Sequence, residues 1–478
     1  MSSTIIGRET EKTILENLLK SNAPELLALY GRRRVGKTFL IKTYYKDHLA
    51  FACSGQYQGK TKEQLINFAI QIGTFFPDHK PPMAPQNWQA AFQLLENCLN
   101  TKKDRYKKVL FFDELPWLDS HKSGFLSAFS YFWNMYASKR ADLLVVICGS
   151  AASWIIDKVL NNRGGLHNRV TQRIRLLPFT LGETEKYLAH RNIKPDRYQL
   201  LQLYMTLGGI PQYLNAVERG RSTAQNIDKI CFSKDGALVH EFDNLYQALF
   251  NHPEKHIQII KALAKKNKGL TRNELLVTGK LPTGGGITTA LNELTESGFI
   301  LKIYPYGKQE KNALYRLTDE FSLFYLKFMQ QTKANEKNNW LQLSITTAYH
   351  AWCGYAFENL CFTHIEQIKK GLQIAGIHSS YYSWQVTGNS QNKGAQIDLL
   401  IDRADNCINI FEMKFSNTEF TITKKYAEEL TNKLNAFRKQ VKTKKALLLT
   451  MLTTYGVSEN NYKTQLVEDE LKMDILFD

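Results

Sequence analysis

The segment Gly31-Arg32-Arg33-Arg34-Val35-Gly36-Lys37-Thr38 decides the fold of the first part of this 478-residue chain. It matches the spacing G-x-x-x-x-G-K-[ST] at every fixed position, between an apolar run, Glu25 to Tyr30, and a helical pattern, Phe39 to Tyr45. In that context a glycine-rich loop closes its backbone N–H groups around phosphates at a helix N-terminus. The sequence therefore predicts that this loop binds the phosphates of a nucleotide, with Lys37 on the β- and γ-phosphates and the Thr38 hydroxyl on Mg²⁺.

Two further apolar runs end in polar residues that suit such a site. Val109 to Phe112 is followed by Asp113 and Glu114, and Leu143 to Cys148 leads to Ser150. We expect Asp113 to order Mg²⁺ and Glu114 to orient or deprotonate the attacking water. Ser150 is placed to sense the γ-phosphate, although an ordinary turn at a strand end would have the same residues. The apolar runs alternate with helical segments, which predicts a parallel α/β sheet.

The composition describes a globular protein with a basic surface. The chain has 62 Lys+Arg against 45 Asp+Glu, a formal charge of +17, and 43% hydrophobic residues. This excess favours a nucleic-acid partner through counterion release, but a solvated basic surface would give the same count. Seven cysteines without a C-x-x-C pair argue against a disulfide framework or a zinc site, and favour a reducing cytoplasm. The sequence begins without a signal-peptide pattern and has no apolar window of membrane-spanning length, so we expect no membrane association.

Changes of pattern along the chain predict several domains. Thr180, with Glu183 three residues later, forms a capping box that opens a helical stretch. After it, three helical patterns and two strand patterns joined by a polar turn indicate a winged helix. Gln331 to Asn339 lacks apolar periodicity and is the predicted linker. Beyond it, we expect one helix over Ala348 to Ile368 and two strands, Ala395 to Ile401 and Cys407 to Lys414. The domains that we predict are a P-loop domain at 1–179, a helical lid at 180–250, a winged helix at 251–330 and an α/β domain at 340–478.

Three residues near the C-terminus suggest a second chemistry. Metal-dependent hydrolysis of a phosphodiester needs carboxylates to hold Mg²⁺ and a cation to poise the water or stabilise developing charge. Asp398, Glu412 and Lys414 meet that need. If two strands form a hairpin across Asp402 to Asn406, alternation puts Glu412 and Lys414 on one face, where Asp398 can join them. A plain amphipathic strand with a Glu–Lys pair would have the same residues.

The N-terminal motifs resemble those of the archaeal-type ATPase family, in the signal-transduction (STAND) branch of AAA+-like P-loop NTPases. Beside the loop, Ile6-Gly7-Arg8-Glu9 is similar to the adenine-side segment of that family, and Gly149-Ser150 is similar to its sensor. Gly208-Gly209-Ile210-Pro211 resembles the G-x-P element of the helical lid, which implies that Pro211 packs near the nucleotide. Arg169 and Arg173 fall where an arginine could meet the γ-phosphate, although solvated charge is the alternative. An arginine shared between subunits would require a homo-oligomer, a state that the sequence leaves open.

The C-terminal residues resemble the PD-(D/E)XK nuclease superfamily. Gln396 to Leu400 is similar to its first acidic strand, and Phe411 to Phe415 to its E-x-K strand. Glu358 matches the acid on the first core helix of that family. The resemblance implies an α/β restriction-endonuclease-like fold with Glu358, Asp398 and Glu412 as ligands of Mg²⁺ or Mn²⁺. No proline precedes Asp398, which departs from the named pattern and leaves open a degenerate domain kept for binding.

These observations predict an ATP- and Mg²⁺-dependent enzyme that cleaves nucleic acid, with DNA favoured. The segment Thr421 to Lys445 is rich in lysine and could neutralise phosphates beside the site, or it could simply be solvated. The alternatives are a nucleotide switch that binds nucleic acid or a partner without cleaving it, and a domain that binds ATP without turnover.

Overall fold

The computed structural model describes residues 4–79, 83–101, 106–150, 152–160, 166, 168–250, 252–266, 268–331, 339–388 and 394–478. The chain divides into two compact units, Met1–Pro178 and Phe179–Asp478. Most of the predicted linker, residues 332–338, lies outside the described residues.

The first unit is built on a parallel sheet with the strand order β2-β3-β4-β1-β5. Its strands are β1 (Glu25–Tyr30), β2 (Leu49–Ser54), β3 (Lys108–Asp113), β4 (Leu143–Gly149) and β5 (Gln172–Arg175). Its helices are α1 (Glu9–Lys20), α2 (Lys37–Tyr44), α3 (Thr61–Phe75), α4 (Trp88–Thr101), α5 (Leu115–Leu118), α6 (Phe125–Met135) and α7 (Ala152–Ile155). Each pair of neighbouring strands is parallel, which confirms the predicted parallel α/β sheet.

The strands β1, β3 and β4, which the apolar runs predicted, form the centre of this sheet. The strands at its two edges, β2 and β5, were not predicted. An aromatic core lies beneath the sheet, in which Phe92 stacks on Phe132 at 5.0 Å between ring centroids and contacts Phe112 at 5.9 Å. This core supports the carboxyl end of β3, where the predicted acidic pair begins.

The second unit contains two sheets and most of the helices. Its strands are β6 (Leu270–Thr271), β7 (Ile300–Ile303), β8 (Leu314–Leu317), β9 (Ser379–Val386), β10 (Ala395–Arg403), β11 (Cys407–Lys414), β12 (Ala446–Thr453) and β13 (Asp469–Lys472). Its first helices are α8 (Leu181–His190), α9 (Arg197–Leu207), α10 (Pro211–Leu214), α11 (Thr223–Ile227), α12 (Glu241–Gln247), α13 (Glu254–Ala264), α14 (Arg272–Thr278) and α15 (Gly285–Glu296). The later helices are α16 (Glu320–Phe324), α17 (Asn339–Leu343), α18 (Thr347–Thr363), α19 (Ile365–Gly371), α20 (Lys424–Val441) and α21 (Asn461–Leu466).

The smaller sheet has the order β6-β8-β7 and packs with α13, α14 and α15. We call residues 254–317, from α13 to β8, the three-stranded module. The predicted hairpin of β7 and β8 is confirmed, and the two-residue strand β6 is an addition to it. Within the part of the chain that the structure describes, no helix has the length and apolar character to cross a membrane.

The larger sheet has the order β13-β12-β11-β10-β9. β10 runs antiparallel to both of its neighbours, whereas β11, β12 and β13 are parallel. The predicted hairpin across Asp402 to Asn406 is therefore present. The pairing of β10 with β9 shifts its register between Ile397 and Leu400, so Asp398 lies at an irregularity that can redirect its side chain.

Two predicted helix features have different outcomes. The capping box is confirmed, because the Thr180 hydroxyl accepts from the Glu183 N–H and the Glu183 carboxylate accepts from the Thr180 N–H. The single helix predicted over Ala348 to Ile368 is wrong, since α18 ends before His364 and α19 begins after it. His364 is buried, and its Nε2 accepts a hydrogen bond of 3.1 Å from the Leu181 N–H, a tertiary contact that helical periodicity does not reveal.

Candidate functional site

The glycine-rich loop between β1 and α2 has a backbone that requires glycine at both motif positions. Gly31 has φ 148°, and a Cβ added to it would lie 2.2 Å from the carbonyl oxygen of Leu176. Gly36 has φ 94° and caps α2. Arg34, between them, also has a positive φ of 72°. Side chains at Gly31 and Gly36 would therefore strain the backbone. The curved path of the loop brings its N–H groups to the start of α2.

Basic side chains hold this loop through its own carbonyl oxygens. Lys37 Nζ donates to the carbonyls of Gly31 and Arg32, at 2.8 Å each. Arg8, from the segment before α1, donates to the Val35 carbonyl at 3.3 Å. The Lys37 ammonium is thus enclosed by the loop, in the position from which it can exchange carbonyl oxygens for phosphate oxygens.

The predicted metal and water residues meet at the carboxyl ends of β3 and β4. Thr38 Oγ1 donates to Asp113 Oδ2 at 2.8 Å, and Asp113 Oδ1 accepts from the Glu114 N–H at 3.1 Å. Glu114 Oε2 accepts from the hydroxyl of Ser150 at 2.9 Å and from its N–H at 3.1 Å. A hydroxyl and a buried carboxylate in contact are the oxygen donors that Mg²⁺ prefers beside a nucleotide, so Thr38 and Asp113 fit that ion.

Other residues predicted for this site lie in varied surroundings. The guanidinium of Arg33 lies 5.6 Å from the centre of the Trp117 ring. Arg169 and Arg173 are exposed, and their role at a γ-phosphate stays a prediction. Pro211 belongs to the second unit and begins α10, so its proximity to the nucleotide also stays a prediction.

In the second unit, Glu358 on α18 is paired with an arginine from the three-stranded module. Arg316 on β8 is 3% exposed, and its Nη2 lies 3.4 Å from Glu358 Oε2. Its Nε donates to the Asn359 side chain. Burial and the charge of Asp398 raise the pKa of Glu358 to about 7, against the opposing effect of Arg316. Burial lowers the pKa of Arg316.

Asp398, on β10, is in contact with a chain of polar side chains. Its Oδ1 accepts from the Gln396 amide, and Gln396 Oε1 accepts from the ammonium of Lys268. Lys268 belongs to the three-stranded module, so this module supplies a cation near each of two predicted acids.

Glu412, on β11, lies in a compact cluster of donors. Its Oε1 is 3.0 Å from Lys414 Nζ and accepts from the Tyr426 hydroxyl, and its Oε2 accepts from Lys433 Nζ at 2.7 Å. Burial alone would raise the pKa of Glu412, but the charges of Lys414 and Lys433 and the hydrogen bonds lower it. The contact between Lys414 and Glu412 confirms that both side chains lie on one face of β11.

The structure brings Glu412 and Lys414 together, but it does not gather the three predicted acidic metal ligands. No group of three or more His, Cys, Asp or Glu side chains among the described residues could hold a metal ion. Each predicted acid is bonded to a protein donor instead, so this arrangement does not fit a metal ion with Glu358, Asp398 and Glu412 as joint ligands. We therefore derive no reaction step through a metal here.

Sequence reasoning did not identify Arg316 or Tyr426 as members of this site. Arg316 lies in a strand of the winged-helix pattern, 42 residues from Glu358, and Tyr426 lies 14 residues from Glu412. No local motif connects these residues to the acids. A lone arginine in a short apolar strand was the one available signal.

Comparison with known proteins bears on the first of these two sites. Residues 5–217 match the model of a family described as an ATPase domain predominantly from Archaea. An uncharacterized protein of Methanocaldococcus jannaschii is 24% identical over 434 residues, which cover 90% of this chain and 91% of that protein. The family match and the loop geometry support ATP binding and hydrolysis by this part of the chain.

Two solved structures of archaeal proteins are similar to this chain. The Walker-type ATPase of Pyrococcus abyssi is 19% identical with a TM-score of 0.49, over 67% of this chain and 96% of that chain. The ORC2 protein of Aeropyrum pernix is 15% identical with a TM-score of 0.42, over 68% of this chain and 95% of that chain.

Proposed function

We propose that this protein binds and hydrolyses ATP in its first unit and couples the nucleotide state to cleavage of nucleic acid, preferably DNA, in its second unit. The observation that carries the ATPase part is the contact of Thr38 Oγ1 with Asp113 Oδ2 at 2.8 Å, with Glu114 next along the chain. Thr38 supplies a hydroxyl from α2, and Asp113 and Glu114 supply two carboxylates at the carboxyl end of the buried strand β3.

In ATP hydrolysis these side chains would act in sequence around the phosphates. Mg²⁺ supplies neutralisation of the β- and γ-phosphate charge when it is bound, and Thr38 and Asp113 are the residues that would hold it. Lys37 would turn from the loop carbonyls to the phosphate oxygens. Glu114 would orient the attacking water or accept its proton through the carboxylate that now bonds to Ser150.

The cleavage part of the proposal is supported by the charge around β11. Lys414 lies beside Glu412 on one face, and Asp398 is carried by the neighbouring strand. The helix α20 and the turn after it add exposed cations that could neutralise phosphates next to this face. These cations are Lys424, Lys425, Arg438, Lys439, Lys442 and Lys444.

The experiment incubates the full chain with labelled duplex and single-stranded DNA and RNA, with Mg²⁺ or Mn²⁺, and with or without ATP. We expect DNA cleavage whose rate changes with ATP. Lys414→Ala should lower cleavage by about 10²-fold or more while ATP hydrolysis continues, and Lys37→Ala should abolish hydrolysis. Lys194→Ala, at an exposed lysine of the second unit, is the matched control. Equal cleavage by wild type and Lys414→Ala, or none by either, would reject the cleavage proposal.

A second candidate function is a nucleotide switch that binds nucleic acid without cleaving it. The observation in its favour is that Glu358, Asp398 and Glu412 are each bonded to donors of the protein. This candidate predicts DNA binding that weakens steeply with salt and yields no product. A salt titration of DNA binding, after which the DNA is recovered and its length is measured, distinguishes the two functions.

A further inference from the structure

The turn between β7 and β8 packs against the larger sheet and against the end of α20. The Tyr306 N–H donates to the Ser383 carbonyl of β9 at 2.8 Å, and the Ser383 N–H donates to the Tyr304 carbonyl at 3.3 Å. The Tyr306 ring lies 5.5 Å from the ring of Phe437, which is buried one turn before the end of α20. The Tyr306 hydroxyl donates to Asp402 Oδ2 at 3.3 Å. Backbone and side-chain contacts therefore hold the hairpin turn beside the end of this helix.

Both of these neighbouring segments carry exposed cations. The cations are Lys308 and Lys311 on the hairpin turn, and Arg438, Lys439, Lys442 and Lys444 at the end of α20 and just after it. We call these six residues the hairpin–helix surface. Among the described residues, none of the six forms an ion pair with an acid. The closest acid along α20, Glu429, precedes Arg438 by about 14 Å of helix axis, which exceeds the screening length of about 8 Å in physiological salt.

The acids that lie within or against the hairpin turn are paired with other cations. Glu310, on the turn itself, accepts from Lys302 Nζ at 2.8 Å. Asp402, which contacts the turn from β10, accepts from Lys445 Nζ at 2.5 Å. The six exposed cations are therefore not neutralised by these acids, and the surface has an excess of positive charge.

Exposed cations without exposed aromatic rings suit the phosphate backbone of a duplex. Duplex DNA carries one negative charge per about 1.7 Å of its axis, about twice the density of either strand. Proteins that hold single strands add aromatic side chains on which the bases stack. The ring of Tyr306 is already packed against Phe437 and lies 5.3 Å from the ring of Tyr382. The hairpin–helix surface thus fits a duplex better than a single strand.

The third helix of the three-stranded module is poorly suited to reading bases. A helix in the major groove reads bases mainly through Arg, Lys, Asn and Gln side chains. α15 contains neither Lys nor Arg, and it carries Glu293 and Glu296. These acids would be repelled by the phosphates on both sides of the groove. Binding through the hairpin–helix surface would therefore depend on the backbone and not on the base sequence.

We propose that the hairpin–helix surface binds the phosphate backbone of duplex DNA, through cations of both segments at once and without preference for a base sequence. This inference rests on the proposed function and deepens it, because it assigns the form of nucleic acid that the second unit binds and the surface that binds it.

The test measures binding of the full chain to a short fluorescent DNA duplex, and to one of its single strands, over a series of salt concentrations in EDTA and without ATP. Each duplex phosphate that a cation neutralises adds about 0.9 to the slope of log K against log salt concentration. The paired variants Lys308→Ala with Lys311→Ala, and Lys439→Ala with Lys442→Ala, should each lower this slope by about 2 and the affinity in about 0.1 M salt at least tenfold. Lys62→Ala with Lys194→Ala removes two exposed lysines from other places, so this charge-matched control should bind as wild type does.

Several outcomes would overturn the proposal. One is an equal loss of affinity in the control pair, which would mean that only the net charge matters. Unchanged binding by either the hairpin pair or the helix pair would reject a joint surface. Equal affinity for duplex and single strand, or a strong preference for one base sequence, would reject backbone recognition of a duplex. Weaker binding of the two pairs to anionic phospholipid vesicles, with duplex binding unchanged, would assign the surface to a membrane instead.

A cleavage assay of the same variants separates this inference from the proposed function. If the two lysine pairs lose duplex binding in EDTA and wild type yields no product with Mg²⁺, the binding surface stands and the cleavage function fails. If wild type cleaves DNA and both pairs bind and cleave it equally well, the cleavage function stands and the surface is refuted.

Discussion

Replacing Gly31 with alanine would test the backbone conformation of the nucleotide loop. Gly31 has φ 148°, and an added Cβ would lie 2.2 Å from the Leu176 carbonyl oxygen. Leu176 is fixed in place, because its N–H donates to the Tyr30 carbonyl at 2.8 Å. A strained backbone costs about 1–3 kcal/mol and overpacking costs about 1–3 kcal/mol, so Gly31→Ala should lower the free energy of unfolding of the first unit by about 2–6 kcal/mol.

Thermal unfolding and calorimetric ATP titration would measure this change. Each kcal/mol shifts Tm by about 2–4 °C in a unit of this size, so Tm should fall by at least about 4 °C, with weaker ATP binding. Gly73→Ala is the control, since Gly73 lies within α3 and an added Cβ meets no atom within 4 Å. It should stabilise the unit by up to about 1 kcal/mol. An unchanged Tm and ATP affinity in Gly31→Ala would refute the described loop.

Three other predictions concern single side chains. Glu114→Gln should lower ATP turnover by about 10²–10⁴-fold with ATP affinity retained, as measured by phosphate release and calorimetry; unchanged turnover would exclude Glu114 from the reaction. Burial lowers the pKa of His364 to about 4, below its unfolded value of about 6.5. The stabilising effect of His364 is therefore complete above about pH 6.5 and is lost as the pH falls toward 4. At pH 5 the loss in the free energy of unfolding should be about 2 kcal/mol. His364→Gln should remove this loss, as measured by urea unfolding. The folded pKa of Glu412 is also lowered, so its charge stabilises the fold above the unfolded carboxyl pKa of about 4.3, and this stabilisation is lost as the pH falls through the folded value. Glu412→Gln should cost about 1–3 kcal/mol at pH 7 and less at pH 4, and an equal cost at both would contradict the ion-pair account.

The parts of the fold that could be predicted from sequence are those with local signals. The strands β1 and β11 have the bounds that their apolar runs predicted, because buried strands need nearly continuous hydrophobic residues. The edge strand β5 buries only Ile174 among its four residues, and β13 is similarly polar, so neither had such a signal. The break at His364 depends on the distant N–H of Leu181 and has no periodic signature.

The same distinction applies to the two candidate sites. The residues from Gly31 to Thr38 form one contiguous motif, so their chemistry could be read directly, and Asp113 followed from the end of an apolar strand. In the second unit the pair Glu412 and Lys414 is local and was predicted to share a face. The bonding of Glu358 to Arg316 joins segments of different patterns, and only tertiary packing reveals it.

The compact unit that follows Pro178 has a practical consequence for dividing this chain into fragments. Within it, the ring of Tyr198, on α9, lies 5.0 Å from that of Phe415 and 5.6 Å from that of Tyr455, just beyond β11 and β12. A fragment that begins at residue 340 would lack Tyr198 and would expose the rings of Phe415 and Tyr455 to water. Chimeric proteins made with relatives should therefore exchange all residues after Pro178 together.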